Sequence, residues 1–71
     1  MKKYYNIRNI RKKKKIKAED LARMLKISIG TYYKKETLLI PFMDSELLIQ
    51  SEVLNTNINR LLIIINKEEV Q

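Results

Sequence analysis

The spacing of apolar and polar residues along the chain predicts helices joined by short turns. Between residues 4 and 14, apolar side chains recur every three or four positions, which places them on one face of a helix. Segment 18–25 repeats this spacing and has two acids in its first turn, where the helix dipole favours negative charge. Ser28 is a suitable N-cap for a third helix over about 29–36.

The second half of the chain predicts a loop and two further helices. Pro41 breaks a helix, so residues 37–43 are expected to form the loop. Asp44 or Ser45 can cap a fourth helix, and a polar turn with a cap at Asn57 precedes a fifth. The predicted inward-facing residues of these two helices are Leu47, Leu48, Ser51 and Leu54, followed by Ile58, Leu61, Leu62 and Ile65.

The isoleucine run at 63–65 leaves a choice between helix and strand, because β-branched residues favour strands. Elsewhere the strand signal is weak. The pattern therefore predicts one all-α domain over residues 1–71 with five short helices, and a short C-terminal strand as the alternative at its end. A chain of this length buries only about 60% of its unfolded surface, so its stability is expected to be marginal.

Positive charge is concentrated in the first half of the chain. The net charge is +7, yet residues 1–35 contain 13 basic and 2 acidic residues, whereas residues 36–71 contain 2 and 6. Such a division favours a polyanion as partner over a merely soluble, lysine-rich surface.

The residue inventory argues against an enzyme. The sequence has no cysteine and no histidine, which removes disulfides, thiol and imidazole chemistry, and the usual zinc ligands. Its carboxylates are scattered and no glycine-rich phosphate loop is present, so no metal, cofactor or small-molecule substrate is expected. The longest apolar run, 61–65, is far shorter than the ~20 residues of a membrane span. No apolar stretch follows the basic start, as a signal peptide would require, so a cytoplasmic location is expected.

Segment 18–36 has the features of a helix-turn-helix. Ala22 is small where the two helices would cross, Ile27 can fill the turn, and Ser28 can cap the second helix while leaving its first turn free. Two short helices joined by a three-residue turn present the second helix to the major groove of DNA. On periodicity alone, two ordinary amphipathic helices are an equal alternative.

Further residues extend this pattern in order and spacing over about residues 6–62. They are Ile7, Ile10, Arg11, Ile16, Glu19, Leu21, Ala22, Leu25, Ile27, Ser28, Thr31, Tyr32, Glu36, Pro41, Leu47, Leu48, Ser51, Leu54, Asn55, Asn57, Ile58 and Leu61. The pattern resembles the Cro/repressor-type helix-turn-helix family of phages and bacteria. The resemblance implies a five-helix lambda-repressor-like fold, sequence-specific operator binding, usually as a dimer, and an ion pair between Arg11 and Glu36.

The same resemblance indicates which residues meet DNA. The positions that match the base-contacting face are Ile29, Gly30, Tyr33 and Lys34. Lys34 can donate to guanine, and Ile29 can pack on a thymine methyl group. Candidates for the phosphate backbone are Ser28, Thr31, Lys35, Lys15 and Lys17. Tyr32 is expected to face the core.

The sequence departs from the family pattern at four positions. Lys26 and Leu38 stand where the family prefers glycine, and a left-handed backbone would be strained there. Ala18 replaces a glutamine that typically binds phosphate, which removes one expected DNA contact. Lys35 replaces an apolar residue.

Segment 58–71 is the predicted dimerisation segment. Ile63 and Ile64 would have no core left to fill in a monomer, and exposed apolar patches usually mark an interface. The predicted interface residues, joined as two helices or as paired strands, are Ile58, Leu62, Ile63, Ile64 and Ile65. The alternative is that Ile63 and Ile64 fold back under Tyr4 and Tyr5 of the same chain.

These observations predict a regulator that binds double-stranded DNA sequence-specifically as a homodimer. Its 71 residues leave no room for an effector domain beside the helix-turn-helix, so repression by operator occlusion, as by small phage Cro-like repressors, is expected. One alternative is a protein-interaction module, antirepressor or antitoxin-like, that keeps the fold. Another is a non-specific binder of nucleic acid or of an anionic membrane surface.

Overall fold

The computed structural model describes residues 3–66, which form five helices and one two-stranded sheet. In chain order the elements are β1 Lys3–Tyr5, α1 Ile7–Lys13, α2 Ala18–Leu25, α3 Ile29–Glu36, α4 Asp44–Val53, α5 Ile58–Leu61 and β2 Ile64–Asn66. The fold is mostly helical, as predicted, and α2 and α3 have the predicted bounds. Strand β1 is the addition that the prediction did not contain, since a short C-terminal strand is its stated alternative at residues 63–65.

The first helix begins three residues later than predicted. Residues 3–5 form β1 instead, and β1 pairs antiparallel with β2 so that Tyr4 lies opposite Ile65. The Asn6 amide extends this pairing by donating to the Ile63 carbonyl at 2.7 Å. Burial of Tyr4 fits a strand as well as a helix, so the three-residue spacing from Tyr4 to Ile7 misled the helix prediction.

The C-terminal isoleucines adopt the strand alternative. Helix α5 is a single turn that ends at Leu61, and Leu62 is exposed, so the prediction that Leu62 and Ile65 lie on an inner helical face is wrong. The β-branched side chains at 63–65 favour extended backbone, and residues 3–5 supply the strand that pairs with them. The remainder of the predicted dimerisation segment, 67–71, lies outside the described residues.

The core is formed by aliphatic residues around one aromatic pair. The buried apolar cluster consists of Ile7, Ile10, Ala18, Leu21, Ala22, Leu25, Tyr32, Phe42, Leu47, Leu54 and Leu61. Helices α2 and α3 pack together more extensively than any other helix pair, and Ala22 is buried, as predicted. The rings of Tyr32 and Phe42 meet edge to face with centroids 5.8 Å apart, so the predicted loop also contributes to the core.

Helix α4 differs from its prediction at its start and on its inner face. It begins at Asp44, with Met43 rather than Asp44 or Ser45 at the N-cap position. The Glu46 carboxylate accepts a hydrogen bond from the Met43 amide at 2.8 Å, which satisfies one free donor of this helix end. The prediction that Leu48 faces inward is wrong: its side chain is 51% exposed, and the polar side chain of Gln50 is buried instead.

Two positions where the resemblance expects glycine do adopt a left-handed backbone. Lys26 has a φ of 60° in the turn between α2 and α3, and Leu38 has a φ of 71° after α3. At the first turn the Ile27 amide donates to the Ala22 carbonyl at 3.0 Å, which closes the end of α2. The turn geometry is therefore kept without glycine, at the cost of backbone strain.

Replacing Lys26 with Gly is expected to raise the free energy of unfolding by about 0.5–1 kcal/mol, because glycine adopts φ near +60° without a Cβ clash. Urea denaturation followed by circular dichroism measures the change. Lys12→Gly, within α1, is the matched control and should lower stability by about 1 kcal/mol. Equal losses in the two variants would contradict the left-handed conformation of Lys26.

Candidate nucleic-acid interface

Helix α3 is capped as predicted and is anchored along one face. The Ser28 hydroxyl oxygen accepts a hydrogen bond from the Thr31 amide at 3.1 Å, and the Ser28 hydroxyl donates to the Thr31 hydroxyl at 2.9 Å. Tyr32 and Glu36, one helical turn apart, are both buried. The opposite face of α3 is therefore directed outward.

That outer face carries all four predicted base-contacting residues. Ile29, Gly30, Tyr33 and Lys34 are exposed, and their spacing along α3 places them on one side of the helix. Apart from its two chain neighbours and the backbone of its own helix, no heavy atom lies within 4 Å of the place where a Cβ would stand at Gly30. Packing within the chain therefore does not require glycine at this position, and a close approach by a partner surface could.

The predicted phosphate contacts fall into two groups. Ser28 and Thr31 lie at the start of α3, where Ser28 is exposed and Thr31 is half-buried. Lys15 and Lys17 are exposed in the connection that leads into α2. Lys35 does not belong with them. Its ammonium group pairs with the Glu46 carboxylate, and its side chain is only 11% exposed. The structure thus removes Lys35 from the predicted contact surface.

The pair formed by Lys35 and Glu46 has a structural role that the sequence did not suggest. Because Glu46 also accepts the hydrogen bond from Met43, its carboxylate ties the last turn of α3 to the start of α4. This link spans the 37–43 loop. The only signal in the sequence was that Lys35 stands where the resemblance expects an apolar residue. That signal indicates a position facing inward, but it does not indicate that Glu46 is the partner.

Arg11 and Glu36 form a buried, two-pronged ion pair. Arg11 Nε lies 3.0 Å from Glu36 Oε2, Nη2 lies 3.2 Å from Oε1, and Nη1 donates to the Ile16 carbonyl at 3.3 Å. Burial alone would lower the pKa of Arg11, but the hydrogen bond and the charge of Glu36 raise it above its usual value. The guanidinium of Arg11 therefore stays charged, and its two hydrogen bonds to Glu36 fix the end of α3 against α1.

A second polar contact holds the middle of α3. The Tyr32 hydroxyl donates to Gln50 Oε1 at 2.9 Å, and Gln50 Nε2 donates to the Glu46 carbonyl at 3.2 Å. Burial, followed by the nearby charge of Glu36, raises the pKa of Tyr32 far above its usual range, so the phenol remains protonated. Buried polar groups with satisfied partners fix one arrangement of the elements that carry them. Sequence reasoning placed Tyr32 in the core but missed Gln50.

The predicted dimer residues lie at the junction of α5 and β2. Ile58 and Ile65 are half-buried, and Leu62 is exposed. Strand β2 does fold back onto β1 of the same chain, yet the side chains of Ile63 and Ile64 stay 51% and 55% exposed. The alternative in which this segment folds back onto residues 4 and 5 is therefore correct for the backbone. It is wrong for the two side chains, which stay exposed.

The described part of the chain contains no candidate metal site and no helix that could span a membrane. Among residues 3–66, no group of three or more His, Cys, Asp or Glu side chains is placed to hold a metal ion. Within the same residues no helix has the length and apolar character needed to cross a membrane. No family model matches the sequence, and no similar curated protein or solved structure was found. Only the geometry and charge of the described residues therefore bear on function.

Proposed function

We propose that the protein is a sequence-specific regulator that binds double-stranded DNA through a helix-turn-helix formed by α2 and α3. The observation that carries this proposal is the two-sided character of α3. Its inner face is locked by buried Tyr32 and Glu36, and its outer face presents Ile29, Tyr33 and Lys34 around the open Gly30. A rigid helix with a mixed apolar and basic outer face suits the major groove.

The arrangement of the helices supports a lambda-repressor-like fold. Five helices follow each other in the expected order, α2 and α3 are joined by a short turn, and α3 packs most closely against α2. The ion pair between Arg11 and Glu36 links α1 to the end of α3, as the resemblance implies. The short sheet is an addition to the five-helix pattern.

In the proposed complex, α3 enters the major groove and Lys34 donates to guanine O6 or N7, while Ile29 packs on a thymine methyl group. Lys15 and Lys17, exposed before α2, bind the phosphate backbone. Their contacts fix the register of the protein on the duplex and contribute salt-dependent affinity. Bound to an operator in this way, the protein represses by blocking access to the promoter.

Lys34→Ala and Lys15→Ala should weaken DNA binding in different ways. Lys34→Ala is expected to cost about 1–3 kcal/mol on the preferred site and to relax base preference there. Lys15→Ala is expected to weaken binding to all sequences alike and to reduce the salt slope by about 1. The preferred site is first selected from a random DNA pool, and titrations on selected and scrambled duplexes at several salt concentrations then compare the variants.

The same titrations separate the proposed function from its alternatives. A sequence-specific regulator keeps a large difference in affinity between selected and scrambled duplexes. A non-specific polyanion binder shows strong, salt-dependent binding to both, and a protein-interaction module shows little binding to either. Indistinguishable losses for Lys34→Ala and Lys15→Ala on both duplexes would show that α3 does not select the sequence.

A homodimer joined by paired β2 strands is part of the same proposal. Within residues 3–66, β2 pairs only with β1, so its other edge is available for a second β2. Leu62, Ile63 and Ile64, which lie just before and at the start of β2, are exposed apolar residues. A two-fold dimer would place two copies of α3 about one turn of DNA apart, which doubles the length of the recognised site.

Ile64→Lys is expected to shift the protein towards monomer and to weaken operator binding, because a charge in an apolar interface is costly to bury. Analytical ultracentrifugation measures the mass, and circular dichroism should show that the helices are kept. Leu39→Lys is the matched control, since Leu39 is 76% exposed and lies outside the dimerisation segment. If Ile64→Lys unfolds while Leu39→Lys does not, Ile64 has a role within the single chain. An unchanged mass would exclude this interface.

A further inference from the structure

A cleft of about 320 Å³ opens between the end of α1 and the turn that joins α4 to α5. Its lining consists of Ile10, Lys13, Lys14, Asn55, Thr56 and Arg60. Ile10 belongs to the buried core and supplies a fixed apolar floor. The other five side chains all carry hydrogen-bond donors, and three of them are cationic.

The two walls of this cleft are held in place by contacts within the chain. The Asn6 side-chain amide donates to the Arg60 carbonyl at 3.0 Å, which ties α5 to the start of α1. On the opposite wall the Lys14 amide donates to the Ile10 carbonyl, and in the turn the Thr56 amide donates to the Ser51 carbonyl, both at 3.0 Å. Because these backbone donors are occupied, a ligand in the cleft must be bound by side chains.

The charges that line the cleft have no carboxylate partner in the described structure. Within residues 3–66 the basic members of ion pairs are Arg11, Arg23 and Lys35, none of which lines the cleft. Like charges gathered at one opening repel each other and raise the local affinity for an anion. A guanidinium fork beside ammonium, amide and hydroxyl donors matches the oxygens of a phosphate group.

We propose that this cleft binds a phosphate group through Lys13, Lys14 and Arg60, with Asn55 and Thr56 as neutral donors. Its source, which rests on the proposed function, is a backbone phosphate of the DNA beyond the site bound by α3. Lys13 and Lys14 lead directly into the α1–α2 connection that carries Lys15 and Lys17, so the cleft continues the same basic surface towards α5. A free phosphate ion offers the same chemistry, and the two sources are separable.

The first arm of the test uses two duplexes that share the selected site, one ending at the site and one with ten further base pairs on each side. Lys14→Ala combined with Arg60→Ala should lower the salt slope by about 1 per bound subunit on the long duplex, since each neutralised phosphate contributes about 0.9. On the short duplex the variant should match the wild type. Lys12→Ala combined with Arg23→Ala is the control, because it removes the same charges from exposed positions outside the cleft.

The second arm titrates inorganic phosphate into ¹⁵N-labelled full-length protein at constant ionic strength, with chloride as the reference anion. Saturable shifts at the amides of Asn55, Thr56 and Arg60, lost in Lys14→Ala with Arg60→Ala and kept in the control, would support the cleft. A response in the first arm assigns the phosphate to DNA, and a response in the second arm alone assigns it to a free ion. No cleft-specific response in either arm overturns the proposal, whereas equal affinity of the wild type for selected and scrambled DNA overturns the proposed function instead.

Discussion

Glu36→Ala is expected to lower the free energy of unfolding by about 3–5 kcal/mol, because it leaves the Arg11 guanidinium buried without its partner. Small domains have only about 5–15 kcal/mol of stability in total, so this loss should remove a large share of it and lower Tm strongly. Urea denaturation followed by circular dichroism measures the loss. Arg11→Ala should be nearly as damaging, since it leaves the Glu36 carboxylate buried alone.

The matched control is Asp20→Ala, which removes a carboxylate from an exposed ion pair. An Asp20 carboxylate oxygen lies 3.7 Å from Arg23 Nη1 on the surface of α2; the Arg23 side chain is largely in water, and that of Asp20 is about half exposed. Its loss should cost less than about 1 kcal/mol. The double replacement Arg11→Met with Glu36→Leu should recover much of the stability, because no unpaired charge is left behind. Equal effects of Glu36→Ala and Asp20→Ala would contradict burial of the pair.

The bounds of α2 and α3 were predictable from the sequence because local rules decide them. Ser28 caps α3 through its own hydroxyl, and two acids in the first turn favour the start of α2. Each rule depends on residues within four positions of one another. The exposed face of α3 followed from the same helical spacing, once Tyr32 was assigned to the core.

The elements that the sequence did not predict depend on contacts between distant residues. Strand β1 exists because Lys3–Tyr5 meets Ile64–Asn66, and neither segment alone favours a strand over a helix strongly enough to decide. Gln50 is buried because the Tyr32 hydroxyl lies 2.9 Å away, although a glutamine within an apolar helix is ordinarily expected at the surface. Periodicity alone assigned Leu48 to the core instead.

The candidate site shows the same division between local and distant information. Ile29, Tyr33 and Lys34 face outward as the helical repeat requires, whereas Lys35 turns inward to Glu46, eleven residues further along the chain. The long apolar stem of a lysine lets its charge reach a partner that the repeat does not reveal. Only the resemblance suggested the pairing of Arg11 with Glu36, since 25 residues separate them.

Ala22→Leu should be the most damaging change at the crossing of α2 and α3. Ala22 is 3% exposed in the most extensive helix contact of the structure, so three added carbons have no space to occupy. Overpacking of a core site costs about 1–3 kcal/mol and moves the backbone. A fall in Tm measures the first effect. Met24→Leu, on the exposed side of α2, is the control and should leave Tm nearly unchanged.

The backbone shift has its own consequence for DNA binding under the proposed function. Lys15 and Lys17 lie before α2, away from the crossing, so their phosphate contacts should survive. The angle at which α3 enters the groove depends on the geometry of the crossing. Folded Ala22→Leu protein, titrated well below its Tm, should therefore keep its affinity for scrambled DNA and lose much of its preference for the selected site. An unchanged Tm would place Ala22 in solvent. A lower Tm with the preference intact would show that the crossing stabilises the fold without setting the geometry of recognition.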